Sequence, residues 1–228
     1  MARHRLCRAT VVGRLRLAVV ALLMLAAAVP VHAAPSPPIP PIVPATPATL
    51  TTPIAPAALP LPADSIYQLP VLLTDQTGHS FRLDERRGQP MLISMFFTSC
   101  QFVCPMLTDA LRDTAAKLQA GEREQLKILM VSFDPAHDSV AVLKRTADQH
   151  RLDSPQWTLA RADDKSVRKL AAVLGIQYRA LSNGDFNHTT ALILIDADGR
   201  IAGRTAQLGV ADAAFVKLVK AAAQSQGR

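Results

Sequence analysis

Met91-Leu92-Ile93-Ser94-Met95-Phe96-Phe97-Thr98-Ser99-Cys100-Gln101-Phe102-Val103-Cys104-Pro105-Met106 reads as a strand that runs into a helix through two cysteines. The run from Met91 to Phe97 is apolar but for Ser94, which suits a strand buried on both faces. Pro105 fits the first turn of a helix, where a missing N–H costs nothing. Leu107, Leu111, Ala115 and Leu118 then recur at helical spacing over 105–120. The cysteines therefore fall at or just before a helix N-terminus. Unpaired N–H groups there favour a thiolate, the form that attacks disulfides and binds metal.

Working outward, the same alternation repeats. Lys127 to Phe133 reads as a second buried strand, and Ser139 to about His150 as a helix with Val140, Leu143 and Ala147 on one side. Trp157 to Ala160 fits a short strand with Trp157 in the core. Asp164 to Leu174 fits a helix closed by Gly175. Thr189 to Ile195 and Arg200 to Ala206 are strands joined by Asp196-Ala197-Asp198-Gly199, and a last helix covers about Ala211 to Ala223. Upstream, Leu69 to Thr74 and Ser80 to Leu83 flank Asp75-Gln76-Thr77-Gly78 as a hairpin. Strands alternating with helices imply an α/β domain with a mostly parallel sheet covered on both faces. The closing hairpin and helix narrow this to a thioredoxin-like fold, a central mixed sheet with an N-terminal hairpin extension.

This domain is expected to occupy residues 64–228. Residues 34–63 hold eleven prolines among alanines and read as an extended linker without a core. Residues 1–33 read as a signal peptide. Arg3, Arg5, Arg8, Arg14 and Arg16 precede an apolar run from Leu17 to Val29, and Val31-His32-Ala33 offers a cleavage site. An uncleaved anchor is the alternative, and both place the domain outside the cytoplasm, in the periplasm or tethered facing it. The whole chain carries 25 Lys+Arg against 18 Asp+Glu, a net of +7. Removing the five leader arginines leaves 20 against 18, or +2. No basic patch for nucleic acid survives that subtraction. Cys7 leaves with the leader, so the exported chain keeps only Cys100 and Cys104.

A spacing of four puts both sulfurs on one side of a helical turn, near enough to form a disulfide or to grip one ion. A static disulfide and a pair of inert buried thiols are the bland readings, and the strand-to-helix placement argues against both. The spacing is CxxxC, not the CxxC of disulfide oxidoreductases. The proline that such enzymes carry opposite their cysteines is missing, since the last proline is Pro155. The loop entering the strand at 189 instead carries His188. Two thiolates and an imidazole suit a soft metal. Three ligands complete a trigonal copper(I) site and leave zinc one short of its usual four. Asp134 follows a strand on the same edge, where it either orients His188 or starts a turn. His137 and Asp138 read as turn and cap chemistry, and Met106 as packing.

Three segments together resemble the Sco/SenC family of copper-handling proteins, a likeness spread over most of residues 66–209. Phe96-Phe97-Thr98-Ser99-Cys100-x-x-x-Cys104-Pro105 resembles the family's cysteine motif. Val131-Ser132-Phe133-Asp134-Pro135-Ala136-His137-Asp138 resembles its aspartate-proline segment. Asn187-His188-Thr189-Thr190, followed by Ile195 to Arg200, resembles its metal-histidine segment. The resemblance implies copper held by Cys100, Cys104 and His188. It also implies a role in assembling the dinuclear copper centre of cytochrome c oxidase, by delivering copper to the copper-receiving subunit, by reducing that partner's cysteines, or both. A general thiol-disulfide reductase for exported substrates, with Cys100 and Cys104 as its redox pair, is the alternative. The chain departs from the commoner pattern at Gln101-Phe102-Val103 and Asn187, where a carboxylate is often found. Both changes alter the rim that a partner meets.

Overall fold

The computed structural model describes residues 60–100, 103–152 and 154–225. The expected leader and nearly all of the proline-alanine linker lie outside the described residues. The fold is organised around β3 (Met91–Phe96), every residue of which is buried. It runs parallel to β4 (Lys127–Ser132), which in turn runs parallel to β5 (Trp157–Arg161). On its other side β3 pairs antiparallel with β8 (Leu192–Ile195), and β8 with β9 (Ile201–Thr205). The N-terminal hairpin of β1 (Leu72–Asp75) and β2 (Ser80–Arg82) adds antiparallel to β5. The result is one mixed sheet in the order β2-β1-β5-β4-β3-β8-β9.

Burial of both faces of β3 and β4 requires cover on both sides. Helix α1 (Val103–Ala116) and helix α3 (Val140–Gln149) lie together on one face, where the Arg112 guanidinium donates to the carbonyl of His150 at the end of α3. Helix α5 (Ala213–Gln224) packs on β9 and meets the short helix α2 (Ala120–Gln125), joined by Gln224 and Glu122. Helix α4 (Asp164–Val173) is left to cover the opposite face with Val167, Leu170 and Ala171. This is the thioredoxin-like arrangement expected, with the N-terminal hairpin extending the sheet. Trp157 is core, 8% exposed.

Local chemistry explains the boundaries. Asp75 closes the first hairpin by accepting from the N–H groups of Thr77 and His79. Ser139 caps α3 and Asp163 caps α4. Two features differ from the sequence expectation. Helix α2 buries no residue, so it carries no apolar periodicity to read; Gln119 and Glu122 close its first turn instead. The single strand expected over 189–195 is interrupted. Its core part begins at Leu192, while β7 (Phe186–His188) pairs with β6 (Tyr178–Ala180) in a separate two-stranded sheet. Thr189 belongs to that small sheet: its N–H donates to the Gln177 carbonyl, and its hydroxyl accepts from the Gln177 N–H. His188 is therefore a strand residue of a hairpin, not part of a loop entering the next strand.

Candidate metal centre

Where β3 ends, Phe97 becomes the floor of the site. Its carbonyl accepts from the Cys100 N–H at 3.3 Å and from the Cys104 thiol at 3.5 Å. Cys104 sits in the first turn of α1, and its own N–H donates to Cys100 Sγ at 3.3 Å. A helix-terminal N–H aimed at a sulfur stabilises negative charge on that sulfur. The two cysteines, both free thiols, differ in surroundings: Cys100 is half-buried and Cys104 buried. Burial pushes the Cys104 thiol far up, helped by the neighbouring Cys100 and by the Asp138 carboxylate.

Across from Cys100, β7 presents Phe186 and His188 on its half-buried face and Asn187 on the exposed one. The His188 ring meets Phe97 edge-on at 5.8 Å between centroids and lies 4.9 Å from Phe133. Phe186 fills the gap between those two phenylalanines, 5.1 and 5.0 Å from them, and Tyr178 stacks behind Phe133. This aromatic cluster fixes the ring. His188 Nδ1 lies 3.3 Å from the Thr189 carbonyl and 3.2 Å from Thr190 Oγ1. A carbonyl only accepts, so the proton belongs on Nδ1 and the lone pair on Nε2.

Cys100 and His188 line the same cavity of about 450 Å³, with Phe97, Val103 and Phe186 among its walls. Cys104 lies behind, in a tight space of about 30 Å³ that it shares with Cys100, Phe96, Met130 and Leu159. Among the described residues, no three His, Cys, Asp or Glu side chains are gathered as a ready-made metal cluster. The fold thus brings the sulfurs together and sets the imidazole across one cavity from them. The donor set fits copper(I) chemically: two sulfurs and one imidazole nitrogen whose other nitrogen is occupied.

The acidic loop after β4 sorts differently from its sequence reading. Asp134 starts the turn, its N–H donating to Ser132 Oγ and its carbonyl accepting from the N–H groups of His137 and Asp138. Its carboxylate lies 2.9 Å from His137 Nδ1, not against His188. That bond holds the exposed His137 above the usual imidazole range. Asp138, which looked like capping chemistry, is instead 1% exposed and bonded to Thr98, two residues before Cys100. The Asp134-to-Asp138 spacing was visible in the sequence, but nothing local showed that it reaches the cysteine loop. Met106 is 47% exposed with its methyl beside Gly209, and it lines neither cavity.

The model of the SCO1/SenC family matches residues 63–223, well over half of the chain. The chain belongs to the SCO1/SenC family. A relative from Bacillus subtilis (strain 168), an SCO1 protein homolog, is 25% identical over 135 residues, covering 58% of this chain and 69% of its own length. The curated relatives it matches are covered over 63–69% of their length. The solved structure of Bradyrhizobium japonicum ScoI with copper bound superposes with a TM-score of 0.52 at 22% identity, covering 70% of this chain and 96% of that one. The structure of BsSco, described as a member of the Sco family of cytochrome c oxidase assembly proteins, gives 0.57 at 22% identity, covering 68% and 91%. At these identities the solved structures establish the fold. The SCO1/SenC match is consistent with the three segments that the sequence offered.

Proposed function

We propose that this SCO1/SenC domain is an exported copper-binding assembly factor. It takes copper(I) on Cys100, Cys104 and His188 and hands it to the copper-receiving subunit of cytochrome c oxidase or to another exported copper protein. The observation that carries this reading is the cavity shared by Cys100 and His188, with Cys104 bonded behind Cys100 and the lone pair of His188 left on Nε2. The sulfurs supply soft donors that suit copper(I). Open access at Cys100 is what a transfer to a partner's ligands needs, since ligands exchange one at a time. Titration of the reduced protein against a copper(I) chelator should give one site. His188→Ala and Cys100→Ser should each weaken it by more than about 100-fold, because even outer partners of ligands are worth 10–100-fold. Unchanged affinity in both variants would refute the assignment. The leader-like start over 1–33 supports export, with the domain in the periplasm or tethered facing it.

One observation favours a second activity on the same residues. Cys100 is accessible and receives a helix-terminal N–H, while Cys104 is buried and protonated beside it. That is the arrangement of an attacking thiol and a resolving thiol. Cys100 thiolate attacks a partner disulfide and expels one partner thiolate; Cys104 thiolate then attacks the mixed disulfide, releases the second, and leaves a Cys100–Cys104 disulfide. Cys104→Ser should trap the mixed disulfide, and reductase activity that survives His188→Ala would separate this role from copper binding.

A further inference from the structure

We propose that Asp138 is a positioning residue for the cysteine pair, holding the Thr98-Ser99-Cys100 segment in the place where Cys100 meets Cys104. The inference rests on the reading that these two cysteines work together. After β3 ends, the described residues Phe97 to Cys100 form neither strand nor helix. Thr98 is the anchor of that stretch. Its N–H donates to Asp138 Oδ2 at 3.1 Å, and its hydroxyl donates to Oδ1, so both oxygens grip one residue and fix its backbone direction. The Ser132 hydroxyl at the end of β4 donates to the same carboxylate. Asp138 is itself fixed, its N–H donating to the Asp134 carbonyl at 2.9 Å. Two neighbouring strand ends are thereby tied to each other through one side chain.

The chemistry of the choice is informative. Asp138 is 1% exposed, and among the described residues it forms no ion pair. A buried carboxylate met only by uncharged donors is a costly way to hold a turn. Asparagine has the same shape without the charge and would serve if packing were the whole role. With its amide oxygen in the Oδ2 place, however, its NH2 would face Thr98 Oγ1, and that hydroxyl would have to turn from donor to acceptor. All the bonds to Thr98 and Ser132 would then be neutral ones, weaker than those a carboxylate accepts.

The test is the equilibrium of the Cys100–Cys104 couple with glutathione, measured on the exported chain without copper. In it, the intramolecular disulfide and two glutathione thiols give the dithiol and one glutathione disulfide. Asp138→Asn should leave the urea midpoint unchanged or raised. It should nonetheless lower the stability of the disulfide about tenfold, a rise of about 30 mV in reduction potential, because a looser Cys100 has a lower effective concentration at Cys104. Thr98→Val, which removes the hydroxyl and keeps the N–H, should shift the couple in the same direction and serves if Asp138→Asn does not fold. No shift, a shift of less than about threefold, or one in the opposite direction in the folded variants would overturn the proposal. Because copper is absent, a domain that proves unable to bind copper refutes the proposed function and leaves this test readable.

Discussion

His188 shows how much one nitrogen decides. Its Nδ1 is held by the Thr189 carbonyl and Thr190 Oγ1, and its ring is wedged against Phe97 and Phe133. Thr190→Val removes one of those holds without touching a candidate ligand. It should weaken copper(I) binding by about tenfold, the lower end of what outer partners of metal ligands contribute, as read by chelator competition. Cys104 is where pH enters. Burial holds its thiol well above the ordinary cysteine range, so a proton must leave when copper binds. A raised pKa keeps that proton in place throughout the neutral range, so apparent affinity climbs with pH. The slope should be about tenfold per pH unit for each proton released between about pH 6 and pH 8. A flat competition profile over that window would contradict a thiol ligand at Cys104.

At the level of elements, the site is a meeting of three strand ends. Strand β3 delivers Phe97 and the cysteines, the loop after β4 delivers Asp138, and the small β6–β7 sheet brings His188 over them. Much of this hangs on turns. In the Asp196-to-Gly199 turn, Gly199 has φ +88°, and a Cβ there would stand 2.6 Å from the Tyr67 ring and closer still to Ser65 Oγ. The turn lies against the N-terminal segment, with the Ile66 N–H donating to the Gly199 carbonyl at 2.9 Å and Ser65 Oγ to the Asp198 carbonyl at 2.6 Å. Gly199→Ala meets both the left-handed backbone and the steric limit. It should destabilise the domain by more than about 1 kcal/mol, measured by urea unfolding, with little change in copper affinity because the turn is remote from β7.

On the scale of the whole molecule, the proposed export would reset the balance of charge and cysteine. Five arginines and Cys7 lie in the first 33 residues, so cleavage there leaves a nearly neutral chain with a single cysteine pair. Among the described residues, no helix is long and apolar enough to cross a membrane. Protein recovered from the exported fraction should begin at Ala34 if the leader is cut, as N-terminal mass analysis would establish; a retained Met1 would instead indicate an anchor. Metal analysis of the same fraction, with and without His188, joins location to cargo: copper should copurify with the first and not with the second.

Sequence alone determined the strand-to-helix order around the cysteines, the two parallel crossovers, both main hairpins and the closeness of Cys104 to Cys100. Each of these is written in short-range signals: apolar periods, capping side chains, turn glycines, and a spacing of four along one helix. Cysteine chemistry at a helix start was legible for the same reason, and three separated segments carried the family resemblance. Only the tertiary structure decided the rest. Helix α2 and the β6–β7 sheet bury too little apolar surface to leave a pattern, so their existence depends on what they pack against. The buried carboxylate of Asp138 had looked like a cap, and Asp134 had been a candidate for orienting His188. Which of them reaches the site depends on how the ends of β3 and β4 lie side by side, a contact across 40 residues of chain between Thr98 and Asp138. Side-chain partners at such separations are set by strand order and register, which no local stretch of the sequence contains.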